Sequence, residues 1–104
     1  MGLNDIMRQA QQMQKKMADL QEEMAKMTVE ATAGGGMVTV KANGGMQITE
    51  IHIDPTVVDP NEVSMLQDLV LAATNEALKK AREMKENEIS KLTGGMKIPG
   101  MDLM

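Results

Sequence analysis

The chain has 104 residues, a length typical of one domain with a modest core, so dimerisation would add considerable stability. It has no cysteine, which excludes disulfides and thiolate metal sites, and no aromatic residue, which excludes ring stacking on unpaired bases. The formal net charge of −4 argues mildly against nucleic acid, although the distribution of the charges matters more than their sum.

The first predicted element is a long helix over residues 4–27, with Asn4 as its cap. Apolar residues recur at alternating spacings of three and four, which is the pattern of a coiled coil. These positions, here called the seam, are Leu3, Ile6, Ala10, Met13, Met17, Leu20, Met24 and Met27. The helix would span about 36 Å, whereas a chain of this size has a radius of gyration near 13 Å. We therefore expect part of it to project from its own core, and the seam to need either the second long helix or a second copy.

Three antiparallel strands are predicted next. Residues 28–42 contain two segments that alternate apolar and polar side chains, separated by a glycine turn at 34–36. Asn43-Gly44 is a strong hairpin signal, because both residues tolerate positive φ. In the third strand, residues 46–53, the alternation slips at residues 49–50, which predicts a β-bulge.

A second long helix follows the strands. Asp59, Pro60 and Glu62 have the pattern of a helix start, with Asp59 as the cap and Glu62 completing a capping box. The helix is expected to run to about Leu92 and to stop at Gly94 and the glycine after it. Its length of about 50 Å would exceed the width of the domain.

The order of these elements predicts the fold. It is α+β, with an α-β-β-β-α order in which two long helices flank a three-stranded antiparallel meander. On the second helix, Ala73, Ala77 and Ala81 would let another element approach closely. We expect one domain over residues 1–93 and a flexible tail, rich in glycine and methionine, over residues 94–104.

The sequence has no pattern typical of catalysis or of a bound cofactor. His52 is the only histidine, and we expect it to be solvated on the third strand. Capping accounts for the acidic residues Asp59 and Glu62, so we expect no metal and no small-molecule substrate. No apolar run approaches the ~20 residues of a membrane span, and the amino end is polar and amphipathic rather than a signal peptide. We therefore expect a cytoplasmic protein that is not an enzyme and does not enter a membrane.

Basic residues are concentrated on the two helices, whereas residues 47–68 carry five acidic side chains and no Lys or Arg. Such a cluster is often only a solvated helix face. On projecting helices it can also contact phosphates, without reading sequence and with a steep dependence on salt. In a symmetric dimer two arms could straddle a duplex. The candidate DNA-binding residues are Arg8, Lys15, Lys16, Lys79, Lys80, Arg82 and Lys85.

Five segments form an ordered set of motifs over nearly the whole chain. They are IMRQAQQMQKKM at 6–17, VTVKANG at 38–44, IHIDP at 51–55, LQDLVLAATNEA at 66–77, and the GGM and PG pieces of the tail. In this order they resemble the YbaB/EbfC family of nucleoid-associated proteins. The resemblance implies a tweezer-like homodimer with the long helices as prongs. It also implies binding of double-stranded DNA with little or loose sequence preference, a changed DNA conformation in the bacterial nucleoid, and an effect on gene expression.

Two functions remain open at this point. The first is the dimeric DNA-binding protein that the resemblance implies. The second is a protein-interaction module that grips another helix with the seam and binds no DNA. The chain has 13 methionines, which suit an adaptable partner-facing surface but also simply substitute for leucine. A large exposed apolar patch would favour the second function.

Overall fold

The computed structural model describes residues 2–94. Its elements are α1 (Leu3–Lys26), β1 (Thr28–Ala33), β2 (Val38–Asn43), β3 (Ile48–Ile53), a 3-10 turn (Pro55–Val57) and α2 (Val63–Leu92). The strands form one antiparallel sheet in the order β1-β2-β3. The predicted α-β-β-β-α fold is confirmed. The domain boundary proposed near residue 93 stays a prediction, since the tail from residue 95 lies outside the described residues.

The core lies between α2 and one face of the sheet. The alternation predicted for β1 and β2 is confirmed, because their apolar residues point to this face and the polar ones point away from it. The three alanines of α2 are fully buried, and their short side chains let the helix backbone approach the strands. The buried members of this cluster are Ala31, Val38, Val40, Ala42, Ala73, Ala77 and Ala81.

Part of the helix-facing side of the sheet, at Ile51 of β3, remains uncovered. α2 contacts β1 and β2 far more extensively than β3. Ile51 lies opposite Val40, so both side chains point to the same face of the sheet. Val40 is fully buried, whereas Ile51 is 49% exposed. Ile51 is therefore available for contact, whereas Ile48 and Ile53 on the same face are partly buried against the core cluster.

The predicted bulge in β3 is confirmed. Lys41 pairs with Glu50, but the next residue of β2, Ala42, pairs with Ile48, which leaves Thr49 as the extra residue. The bulge brings Ile48 and Ile51 to the same side of the sheet.

The hairpin between β2 and β3 differs from the predicted type. Asn43 and Gly44 do not adopt positive φ; Met46 does, at 61°. The amide of Met46 donates to the Asn43 carbonyl (3.0 Å), and the amide of Asn43 donates to the Gln47 carbonyl (3.0 Å). Because the loop extends to Gln47, β3 begins at Ile48 rather than at Met46.

Both predicted helix caps are wrong. α1 begins at Leu3 with Gly2 as the flanking residue, so the backbone of Asn4 is already helical and cannot act as a cap. α2 begins at Val63, and Glu62 makes no side-chain cap. The Asp59 carboxylate instead accepts from the Asn61 amide (2.9 Å), which closes a separate turn before the helix.

The carboxyl end of α2 agrees with the prediction. The helix ends at Leu92, and Gly94 adopts φ of 67°, a left-handed conformation that suits glycine. The glycine that follows lies outside the described residues.

The chain is elongated, as the length of the helices predicted. It measures 70 × 22 × 16 Å with a radius of gyration of 19.0 Å, against about 13 Å for a compact domain of this size. Residues 3–16 of α1 are exposed throughout, and Leu3 is 73% exposed. Within α1 the seam becomes buried only at Met24. None of the helices in residues 2–94 is both long and apolar enough to cross a bilayer.

Candidate nucleic-acid interface

The three basic candidates on α1 lie on its projecting half and are all exposed. A helix turns about 100° per residue, so Arg8 and Lys15, seven residues apart, share one face. That face is opposite the seam, whereas Lys16 is turned about 100° from Lys15 and lies on the flank of the seam. The seam can therefore contact a protein partner while Arg8 and Lys15 stay in solvent.

The charge of α1 changes sign along its length. Residues 3–16 carry three basic side chains and one acidic side chain, a net charge of +2. Residues 17–26 carry three acidic side chains and one basic side chain, a net charge of −2. The half that projects is thus positive, and the half near the sheet is negative. A polyanion is attracted to the tip of α1 and repelled near its base.

The four basic candidates on α2 do not share one face. Lys79, Arg82 and Lys85 follow at intervals of three residues and lie within an arc of about 120°, whereas Lys80 lies apart from them on the side of the helix that faces the sheet. Lys79 and Arg82 lie on the exposed side, whereas Lys85 is partly buried. Lys80 turns toward the sheet, where its Nζ donates to the backbone carbonyl of Glu30 on β1 (3.0 Å). A lysine at this place also protects the free edge of β1 from pairing with another strand.

An open cleft of about 630 Å³ lies between β1 and α2 beside Lys80. Val29 and charged or polar residues of α2 line it. Its two lysines are both engaged, Lys80 with the Glu30 carbonyl and Lys91 with the Glu88 carboxylate (3.1 Å). The cleft therefore has no concentration of free positive charge that would select a phosphate.

The outer face of the sheet is polar and carries two acidic side chains, Glu30 and Glu50, against one basic side chain, Lys41. Lys41 lies between Glu30 and Glu50 on neighbouring strands and pairs with the Glu50 carboxylate (3.2 Å). His52 is exposed on the same face, as expected. Residues 2–94 contain no cluster of three or more potential metal ligands among His, Asp and Glu.

One carboxyl group beside the sheet has a shifted pKa. Asp54 accepts hydrogen bonds from the amide (2.9 Å) and the hydroxyl (2.7 Å) of Thr56. These bonds, the backbone one first, lower the pKa of Asp54 below its ordinary value of 3.8. They also hold the 3-10 turn after β3.

These features define an elongated α-β-β-β-α chain that carries exposed basic residues on both of its long helices. Residues 1–96 match the model of the YbaB/EbfC DNA-binding family, and the chain belongs to that family. The resemblance noted from the motifs is thereby confirmed.

Curated relatives and a solved structure agree with this assignment. A nucleoid-associated protein of Clostridium novyi is 55% identical over 97% of this chain and 89% of its own length. A nucleoid-associated protein of Acetivibrio thermocellus is 59% identical over 96% and 89%. The crystal structure of an uncharacterized Helicobacter pylori protein has a TM-score of 0.79 over 89% of this chain and 98% of its own. At 22% identity it supports the fold alone.

Proposed function

We propose that this chain is a nucleoid-associated protein of the bacterial cytoplasm that binds double-stranded DNA. Binding has little or loose sequence preference and alters the conformation of the DNA, with an effect on gene expression. The main support, beside family membership, is the set of exposed basic residues Arg8, Lys15 and Lys16 on the projecting half of α1. Lys and Arg bind phosphates without reading bases, which suits a protein that acts along a genome.

The basic residues contribute unequally in this proposal. Arg8, Lys15 and Lys16 come first, because they are exposed on a positive segment. Lys79 and Arg82 come second. Lys80 and Lys85 contribute least, because Lys80 already binds a backbone carbonyl and Lys85 is partly buried.

The same proposal includes a homodimer. Large apolar side chains are exposed along the seam, on β3 and on α2, where Leu71 is 60% exposed. Such a surface is unfavourable in water and marks a contact with another protein. A second copy would bring an identical apolar surface and cover both copies symmetrically. The dimer would then present two positive tips, like the prongs of tweezers.

Charge directs where DNA can bind. Each subunit has a formal net charge of −4, so a dimer carries about twice that charge, and most of its surface repels DNA. Attraction is limited to the positive segments of the helices. Binding should therefore be local and strongly dependent on salt.

The alternative function, a protein-interaction module without DNA binding, shares the exposed seam with this proposal. The homodimer accounts for the seam, and the names of the relatives support DNA binding rather than the alternative. Recovery of a stoichiometric protein partner, together with no affinity for DNA, would favour the alternative.

Fluorescence anisotropy with a random duplex tests the proposal. We expect binding at about 50 mM salt that weakens steeply by about 200 mM. Replacing Arg8, Lys15 and Lys16 by alanine should weaken binding and reduce the slope of log K against log salt by about 0.9 for each phosphate that the variant no longer neutralises. The control is Lys41→Ala, which removes a lysine paired on the sheet and should leave binding unchanged. No binding by the wild type at low salt and micromolar protein would contradict the proposal.

A further inference from the structure

We infer that Asn43 and Gly44 are positioning residues that fix the direction in which α1 leaves the sheet. The consequence for DNA rests on the proposed function; the consequence for the geometry of α1 does not. The two residues belong to the hairpin between β2 and β3, which meets the carboxyl end of α1 in space.

The first observation is a bond between the hairpin and the end of α1. The last carbonyls of a helix have no partner within the helix. The amide of Gly44 donates to two carbonyls there, that of Met24 (2.9 Å) and that of Met27 (3.2 Å). Only Met27 separates α1 from β1, so the covalent connection is a single extended residue. The hairpin thus supplies a second attachment for α1.

The second observation explains why residue 44 is glycine. A Cβ built on Gly44 would lie 2.5 Å from the carbonyl oxygen of Met24 and 2.6 Å from the Met24 Cβ. These atoms belong to the helix backbone or are attached directly to it, so α1 and the hairpin would have to move relative to each other. Gly44 does not have positive φ, so the position requires glycine for space rather than for conformation.

The third observation is that Asn43 holds the loop in shape. Within residues 2–94 it is the only buried polar residue, at 6% exposure. Its side-chain oxygen accepts from the amides of Gly45 (2.9 Å) and Gln47 (3.2 Å). This closure presents the Gly44 amide to the end of α1, and Gly44 is buried there.

A small change of angle at this attachment moves the distant end of α1 by several ångströms. α1 contacts α2 and β2, and its partly or fully buried residues are Met17, Leu20 and Met24, all in its carboxyl-terminal half. Arg8 lies about 24 Å along the helix from Met24. A tilt of about 10° at the attachment would therefore move Arg8 by roughly 4 Å, a large fraction of the spacing between phosphates on a strand.

Spin-label distances test this inference directly, since the chain has no native cysteine. One label goes on α1 through Gln12→Cys, and the other on the outer face of β1 through Thr32→Cys; both sites are exposed. Labelled chains are diluted with an excess of unlabelled chains, so that only distances within one subunit are measured. Gly44→Ala should shift the mean distance by several ångströms or broaden its distribution. The matched control is Gly2→Ala at the opposite end of α1, where a Cβ meets nothing within 4 Å.

A second pair of variants decides the question even if Gly44→Ala does not fold. Asn43→Ala removes the acceptor of both amides and should broaden the distance distribution. Asn43→Asp keeps an acceptor oxygen and should restore the wild-type distribution. A loss of stability alone would not displace α1 in molecules that remain folded by circular dichroism. Folded Asn43→Ala with a wild-type distribution would overturn the inference.

Affinity for DNA separates this inference from the proposed function. We expect Asn43→Ala to weaken binding to a random duplex several-fold and Asn43→Asp to recover it. The distances are measured without DNA, so they decide the geometry even if the wild type binds none. Shifted distances with unchanged affinity would confirm the positioning role and overturn its consequence for DNA.

Discussion

The contact between α2 and the sheet differs sharply from the projecting half of α1. The buried members of the core cluster are all alanine or valine, and three alanines of α2 are fully buried there. The large apolar side chains of α1, such as Leu3, Ile6 and Met13, are exposed. Burial of large apolar groups is a main source of stability. The chain thus buries mainly small residues at the centre of its core and leaves several large apolar side chains of α1 in solvent.

Of the substitutions considered, charged residues in the seam should have the largest effect, which is on the stability of the proposed dimer. Ile6→Asp together with Met13→Asp places unpaired carboxylates on the exposed part of the seam, where we propose that a second copy packs. Burying an unpaired charge costs several kcal/mol, so the dissociation constant of the dimer should rise by at least about 100-fold. Sedimentation velocity measures the change. The control is Gln12→Asp on the opposite face, which should leave assembly unchanged; equal effects of both variants would place the interface elsewhere.

A larger side chain in the core should have the next largest effect, which is on the free energy of unfolding. Ala77→Leu inserts three carbons between α2 and the sheet, where Ala77 is fully buried. We expect the free energy of unfolding to fall by about 1–3 kcal/mol in urea titrations. Ala72 is exposed on the same helix, so Ala72→Leu should change it by less than about 0.5 kcal/mol. Similar losses in both would show that α2 does not pack on the sheet by its alanine face.

Charge reversal on the two helices should separate their roles in binding DNA. Lys15→Glu with Lys16→Glu should weaken binding by about tenfold or more, because it makes the tip of α1 negative. Lys79→Glu with Lys80→Glu should weaken it less, since Lys80 already binds the Glu30 carbonyl. Both pairs should leave the dimer intact. Anisotropy titrations at one salt concentration compare them, and a larger effect of the α2 pair would reverse the ranking.

The smallest expected effect concerns Asp54. Thr56→Val removes the hydroxyl donor, so the pKa of Asp54 should rise toward its ordinary value. Because the pKa is lower in the folded than in the unfolded chain, this group stabilises the fold above its unfolded pKa. That contribution is lost as the pH falls through the folded value. An NMR titration of the carboxyl carbon measures the shift; an unchanged pKa would contradict the assigned cause.

The spacing of apolar residues predicted most of the fold. It could not predict contacts between residues that are distant in sequence. The heptads, the alternating strands and the bulge at Thr49 all follow from local spacing. The cap at Asn4 failed because the helix begins one residue earlier, at Leu3. The hairpin type failed because the positive φ falls at Met46 and not at Asn43 or Gly44.

The candidate site was predictable in part. Six of the seven basic residues are exposed and the seventh, Lys85, is partly buried, and a pattern of charges already suggests such exposure. Which of these residues are free and which are engaged was not predictable, because Lys80 binds a carbonyl that lies 50 residues away in sequence. The Asn-Gly pair was the only sequence signal at the attachment of α1, and it indicated a turn rather than a contact with a helix.

Site-specific crosslinking tests most directly whether the projecting half of α1 contacts DNA. A photoreactive residue at Gln12 lies on α1 beside Arg8 and Lys15, and one at Thr32 lies on the outer face of the sheet. With a random duplex at low salt, we predict crosslinks to DNA from position 12 and none from position 32. Crosslinks from position 32 alone would contradict the account, because DNA would then bind the sheet and not the projecting helices.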